Sequence, residues 1–185
     1  MWFSLFLFNC ANFYNSSFNN TRITANAINT SCEDIVNIID SSGQIQKLEV
    51  YGASADGLDI DFSDVSIDYL KINGAGNDCA DFSKGNYVLG SVTLSNCGDK
   101  GISIGEQSTL SIKDLNVNHA NIGIASKDSS ITSIHKSHII NVDLCLDVFQ
   151  KKQEFFSSTL FLDDYTCNSN KIFLDDNSNI FYNEL

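Results

Sequence analysis

The sequence reads GLDI at residues 57–60, and the same pattern returns every 22 residues as CADF at 79–82, GISI at 101–104, GIAS at 123–126 and CLDV at 145–148. Its second and fourth positions are mostly apolar, and the residue between them is mostly polar. Alternation with a period of two is typical of a strand that buries one face. The pattern therefore predicts one short strand that is repeated five times.

A second apolar group accompanies this strand in each repeat between Ile45 and Val148, for example Ile67, Leu70 and Ile72. Repeats of 20 to 50 residues with short strands indicate a solenoid. The sequence contains no proline, so every segment can donate backbone N–H groups. We predict an all-β fold, a right-handed parallel β-helix solenoid with about 22 residues per coil. A leucine-rich repeat is the main rival, but its LxxLxLxxN pattern is not sustained.

The repeat predicts one domain over residues 1–185, with a fragment of a longer chain as an open alternative. Regular coils span 29–148, an inserted loop spans 149–158, and a last coil with a cap spans 159–185. Residues 8–28 carry an apolar residue at every fifth position: Phe8, Phe13, Phe18, Ile23 and Ile28. This stretch resembles the pentapeptide-repeat pattern, and the resemblance implies that those five side chains lie inside the first coils.

The composition restricts the partners that the chain can have. It has 23 acidic and 11 basic residues, a net charge of -12, which repels phosphate backbones and anionic membrane surfaces. We therefore expect no nucleic acid partner, and no segment has the length of a membrane span. Cations, neutral sugars and basic proteins are the compatible partners.

Six cysteines, at 10, 32, 79, 97, 145 and 167, lack CxxC spacing, so the sequence offers no zinc site. Cys79 and Cys145 occupy the same position of the repeat but lie three coils apart. That is ~14 Å at the spacing of neighbouring strands, too far for a disulfide. We expect most of the cysteines to be small residues of the core, and the compartment stays open.

Carboxylates stack on adjacent coils at Asp59 and Asp81, with neighbouring Cβ atoms about 5 Å apart. Like charges this close either recruit a cation or raise a pKa. One hypothesis is a calcium site made by Asp59, Asp61 and Asp81. Another is an acid/base site for glycosidic chemistry, in which Asp59, Asp81 and Lys100 are the catalytic residues.

A structural interpretation is favoured over both hypotheses. Residues at the same position of successive repeats form a column along the solenoid. Lys100 lies in the column of Asp56 and Asp78, and Lys127 lies in the column of Asp61. These lysines can neutralise the acids in a ladder of surface ion pairs.

The glycines of the segments around 98–105 and 123 indicate either a solenoid that turns tightly, which is favoured, or a flat, bare face that would suit a sugar chain. Charged residues flank this face or lie in the inserted loop, and they are the predicted binding residues: Glu106, Lys127, Asp128, Lys151 and Lys152. The histidines at 119, 135 and 138 do not converge on the acids, so we expect each of them to be exposed singly.

Over residues 30–185 the chain resembles the pectate-lyase-like superfamily of right-handed parallel β-helices. The blocks GDKGISIGE (98–106), IGIASKDSS (122–130) and KKQEF (151–155) resemble a group of bacterial β-helix proteins. The superfamily includes polysaccharide lyases, hydrolases and epimerases as well as non-catalytic adhesins. The lyases' catalytic arginine motif and the polygalacturonases' Gly-His-Gly motif are missing here.

We therefore expect a non-catalytic module at a cell surface or outside the cell. Its acidic polar face would bind carbohydrate or a protein, with calcium as a candidate cofactor. A polysaccharide lyase, hydrolase or epimerase is the alternative, and an acidic DNA mimic is a third.

Overall fold

The computed structural model describes residues 10–27 and 32–183, and within these ranges the regular structure is entirely β. The strands are β1 (Ala11–Tyr14), β2 (Ser17–Asn26), β3 (Val36–Ile39), β4 (Ser42–Tyr51), β5 (Leu58–Asp61), β6 (Asp64–Ala75), β7 (Ala80–Ser83), β8 (Asn86–Cys97), β9 (Lys100–Gly105), β10 (Thr109–Lys127), β11 (Ile131–Phe149), β12 (Thr159–Cys167), β13 (Ile172–Leu174) and β14 (Asn179–Tyr182). The predicted parallel β-helix solenoid is confirmed.

The strands form two stacks along the solenoid. Stack A contains the short strands β1, β3, β5, β7 and β9, then the carboxyl ends of β10 and β11, and then β13. Stack B contains β2, β4, β6 and β8, the amino ends of β10 and β11, and then β12 and β14. All pairings are parallel, and Leu58 pairs with Ala80, which pairs with Ile102. The chain thus makes about eight coils.

The core fills the inside of the coils. Ile60, Phe82 and Ile104 stack on one another from β5, β7 and β9 and are fully buried, as the alternating pattern predicts. Leu70 and Ile72 of β6 face them from stack B and are also buried. Each such side chain contributes about 1.5–3 kcal/mol by leaving water. Stability is therefore distributed over all coils.

Where the coil turns from stack A to stack B, its length changes by one residue. The turn at Lys84 has one left-handed residue, with φ of 50°, whereas the next turn has two, Glu106 and Gln107, with φ of 52° and 67°. The register accordingly changes from Ser83 paired with Gly105 to Asn86 paired with Thr109. The extra residue is accommodated without disturbing the core columns.

The first coil belongs to the same solenoid. Ala11 of β1 pairs with Val36 of β3, so this coil is slightly longer than the regular coils of about 22 residues. Phe18 is buried, and Phe13 and Ile23 are partly buried against the core. Phe8 and Ile28, the other two positions of the five-residue pattern, lie outside the described residues.

Cys79, Cys97 and Cys145 are core residues as expected, and Cys167 packs against the core. The sequence did not predict that all six cysteines form disulfides: Cys10–Cys32, Cys79–Cys97 and Cys145–Cys167. Cys79 and Cys145 occupy the same position of the repeat, but they lie three coils apart and do not pair. Residues separated by nearly one full coil do come together, because the chain returns one strand spacing away. Cys79 and Cys97 are 18 residues apart, and their Cα atoms lie 5.2 Å apart. Each bond contributes about 3 kcal/mol by restricting the unfolded chain.

Candidate functional site

A continuous polar surface covers the outward side of stack A. Leu58 and Ile60 of β5 point into the core, so the side chains between and beside them point outward. The same alternation in β3, β7, β9 and β10 continues this surface. We call it the acidic face, and it consists of Asn37, Asp59, Asp61, Asp81, Ser103 and Lys127.

Several side chains of the acidic face are held in place by hydrogen bonds across coils. Asn37 Nδ2 donates to Asp59 Oδ2 at 3.0 Å. Lys127 Nζ donates to Ser103 Oγ at 2.5 Å and lies 3.9 Å from Asp81 Oδ1. The lysine stem lies across Gly105, where a Cβ atom would come within 2.9 Å of Lys127 Cε. Glycine at 105 therefore allows Lys127 to lie flat on the sheet and reach back by two coils.

This arrangement departs from the expected ladder. Lys127 continues the column of Asp61, as predicted, but its ammonium group approaches Asp81 instead. Lys127 is only 7% exposed, and Ser103 beneath it is fully buried. The predicted bare glycine face is thus covered at this point by a lysine side chain.

The acidic face retains hydrogen-bonding capacity that the described residues do not use. Asn37 Oδ1 and Asp81 Oδ1 are both buried, and neither has a hydrogen-bond partner there. The ammonium of Lys127 is too distant from Asp81 to count as one. Buried polar atoms are nearly always hydrogen-bonded in folded proteins, so these two atoms call for a partner such as a water molecule or an ion.

Protonation of the acidic face differs from that of an ordinary protein surface. Burial, reinforced by the charges of Asp61 and Asp81, raises the pKa of Asp59 to about 8. Burial, together with the charge of Asp81, raises the pKa of Asp61 to about 6. At neutral pH Asp59 is therefore mostly a neutral acid that can donate a hydrogen bond.

A separate ladder runs along the corner that precedes stack A. Asp34 Oδ1 accepts from the Asp56 backbone N–H, Asp56 Oδ1 accepts from that of Asp78, and Asp78 Oδ1 accepts from that of Lys100, at 3.1, 2.8 and 3.1 Å. Lys100 Nζ also lies 3.2 Å from Asp78 Oδ1, and it contacts Asp99. Burial raises the pKa of Asp78 to about 6 although Lys100 opposes the shift. The carboxylates of this column satisfy backbone N–H groups, which was not predicted, and the ion pair between Lys100 and Asp78 is the one that the structural interpretation predicted.

The inserted loop, residues 150–158, is anchored by a buried carboxylate. Asp128 is fully buried, and its Oδ1 accepts from the backbone N–H groups of Lys151 and Lys152 at 2.7 and 2.8 Å. Lys152 Nζ forms an ion pair with Glu106. Of the predicted binding residues, Asp128 thus holds the loop, while the loop lysines remain at the surface.

The residues proposed for calcium lie on two adjacent coils, with Asp59 and Asp81 directly paired. Within residues 10–27 and 32–183, no group of three or more His, Cys, Asp or Glu side chains is arranged to hold a metal ion. Calcium remains a prediction. Lys100, the third residue proposed for catalysis, is paired in the corner column, so its ammonium group is engaged away from Asp59.

Sequence reasoning missed a second polar cluster, on stack B. His135 Nδ1 lies 2.9 Å from Asp163 Oδ2, so this histidine is not single as expected. The two residues are 28 apart because the inserted loop adds six residues to this coil. Aligning the repeats across the loop, with Ile134 opposite Leu162, would have placed them side by side.

No helix in the described part of the chain is long and apolar enough to cross a membrane. Comparisons of the chain with protein-family models, with curated proteins and with solved structures found no match.

Proposed function

We propose that this chain is a non-catalytic β-helix module that binds carbohydrate through the acidic face. The observation that carries the proposal is the unused hydrogen-bonding capacity there: Asn37 Oδ1 and Asp81 Oδ1 are buried without partners on either side of Asp59. Asp59 supplies a neutral carboxyl donor at neutral pH. Donors and acceptors that repeat at the strand spacing of about 4.8 Å suit a chain of hydroxyl groups.

The charge of the molecule narrows the kind of sugar. A net charge of -12 opposes uronic-acid polymers and favours neutral or amine-bearing sugars. A basic protein surface would be attracted by the same charge and is the alternative ligand. The partly exposed Asp59 favours the sugar, because its carboxyl group is mostly neutral at pH 7 and a neutral carboxyl group pairs with a hydroxyl group, whereas a basic surface needs an ionised one.

The disulfides support a location outside the reducing cytosol. Bonds such as Cys79–Cys97 and Cys145–Cys167 persist in oxidising compartments. We propose an extracellular or cell-surface location for the module. A relationship to the pectate-lyase-like superfamily is also a proposal, supported by the parallel coils and by the quoted sequence blocks.

One observation favours a catalytic alternative. Asp59, with its pKa near 8, is paired with Asp81 across adjacent strands. A protonated carboxyl group beside a second carboxyl group is the arrangement that glycosidic cleavage uses for its acid and its partner. The engagement of Lys100 by Asp78 and Asp99 weakens this alternative, because it removes the proposed third catalytic group.

The test is titration of the protein with cellohexaose and with a glucosamine hexamer, followed by backbone amide NMR shifts. We expect saturating shifts at Asp59, Asp81 and Ser103, and a loss of about tenfold in affinity in Asp81→Ala. Asp68→Ala is the matched control, because Asp68 is an exposed aspartate on stack B that accepts a hydrogen bond from Gln44.

Cleavage is measured on the same samples as the release of reducing ends. No cleavage is expected. Cleavage by the wild type that disappears in Asp81→Ala would show that the acidic face is a catalytic site, and it would overturn the proposal of a non-catalytic module. Absence of any shift on the acidic face with either sugar would refute carbohydrate binding there.

A further inference from the structure

The outward side of stack B carries a groove in its last coils, away from the acidic face. Its volume is about 440 Å³. The side chains that matter for its chemistry are Ser111, Ser133, His135, Phe161, Asp163 and Asn183. They come from β10, β11, β12 and the residue after β14.

One wall of the groove is an aromatic ring. Phe161 and Phe181 pair on adjacent strands, and their rings stack with centroids 5.1 Å apart and an interplanar angle of 16°. This separation is close to the spacing of strands, about 4.8 Å, so the two rings stack directly on each other, one in each of two successive coils. The next two residues of the column are Ser133 and Ser111. At the next position of the column the small side chain of Ser133 replaces an aromatic ring. A slot about one ring thick therefore lies over Ser133, beside Phe161.

The rim of the slot is polar and held in a defined geometry. Asp163 Oδ2 lies 2.9 Å from His135 Nδ1, and Asp163 Oδ1 accepts from Asn183 Nδ2 at 2.8 Å. The hydrogen bond from His135, and then that from Asn183, lower the pKa of Asp163, so the carboxylate is ionised. A carboxylate only accepts, so His135 Nδ1 is the donor, and Nε2 remains on the groove side for a ligand hydroxyl group. His135 and Ser133 are both exposed.

We propose that this groove is a binding site for a neutral pyranose ring. The ring would lie in the slot with its C–H face on Phe161, and its hydroxyl groups would meet His135 Nε2 and the Ser133 hydroxyl. An aromatic side chain would fill the slot but would desolvate those polar groups without pairing them, which is unfavourable. An anionic sugar would be repelled by Asp163. The site lies on the other stack from the acidic face and does not depend on the function proposed there.

The test uses cellohexaose, mannohexaose and xylohexaose, each titrated to about 10 mM, because a Kd of about 1 mM is expected for one stacked ring. Amide shifts of Ser133 and Phe161 report binding in the groove. At least one of the three sugars is expected to give saturating shifts. Phe161→Ala should weaken that binding about five- to tenfold, because it removes the stacking surface.

Two further variants make the result specific. Ser133→Phe should abolish binding, because its ring continues the aromatic column into the slot while the strand stays folded. Phe173→Ala is the control, since Phe173 is a half-exposed aromatic residue on stack A. It should change the affinity less than twofold.

Asp81→Ala should leave the groove's affinity unchanged, which separates this site from the acidic face. The proposal is overturned if none of the three sugars shifts the groove amides, or if Phe161→Ala and Ser133→Phe both bind like the wild type. Equal loss of binding in Phe161→Ala and Phe173→Ala would also overturn it.

Discussion

Replacing Asp59 by asparagine should stabilise the protein at pH 8 and change its stability little at pH 4. Burial, with the charges of Asp61 and Asp81, raises the pKa of Asp59 from 3.8 to about 8. Between about pH 4 and pH 8 the native state therefore keeps a proton that the unfolded chain has already released. The free energy of unfolding falls as the pH rises through this interval, because the native state binds more protons there. Asparagine at 59 has no proton to lose and can still accept from Asn37.

The magnitude follows from the size of the shift. About four pKa units, at 1.36 kcal/mol each, set an upper limit of about 6 kcal/mol at pH 8. Asp59 keeps some contact with solvent, and its neighbours titrate over the same interval, so we expect about 2–3 kcal/mol. For a chain of this length, that corresponds to a melting temperature about 5–10 °C higher than that of the wild type.

The assay is thermal melting of Asp59→Asn and the wild type at pH 4, 6 and 8, followed by circular dichroism. The control is Asp40→Asn, a fully comparable substitution at an exposed turn residue with φ of 50°, which asparagine tolerates. A difference between Asp59→Asn and the wild type that stays constant from pH 4 to pH 8 would refute the reasoning. So would an equal pH-dependent gain in Asp40→Asn.

Three further predictions concern stability, the loop and calcium. Replacing Cys79 and Cys97 together by serine should lower the free energy of unfolding in urea by about 3 kcal/mol; an unchanged midpoint would contradict a disulfide there. Asp128→Ala should accelerate amide hydrogen exchange at Lys151 and leave stack A protected, because Asp128 accepts from that N–H; equal acceleration throughout would instead indicate global destabilisation. Calorimetry at pH 8 should detect calcium binding to the wild type and none to Asp81→Asn, whereas a flat wild-type titration would remove calcium from the account.

The sequence alone was sufficient for the architecture. The 22-residue period and the alternation in segments such as GLDI at 57–60 predicted the parallel coils, and the core columns such as Ile60 and Phe82 followed from them. This worked because side chains alternate strictly along a strand, and because parallel coils place equivalent residues side by side. The pairing of Asp59 with Asp81 and the role of Lys100 beside Asp78 were predictable for the same reason.

Only the tertiary structure showed the contacts that the 22-residue period does not specify. The disulfide Cys79–Cys97 joins residues of different columns, and His135 meets Asp163 only because the loop lengthens one coil. Lys127 reaches Asp81 because a long side chain can lie along the solenoid axis over Gly105. A repeat specifies which backbone positions are neighbours. Packing in three dimensions determines the direction of a flexible side chain and the extent to which a carboxyl group is buried. Side-chain direction and burial in turn determine the chemistry of both candidate sites.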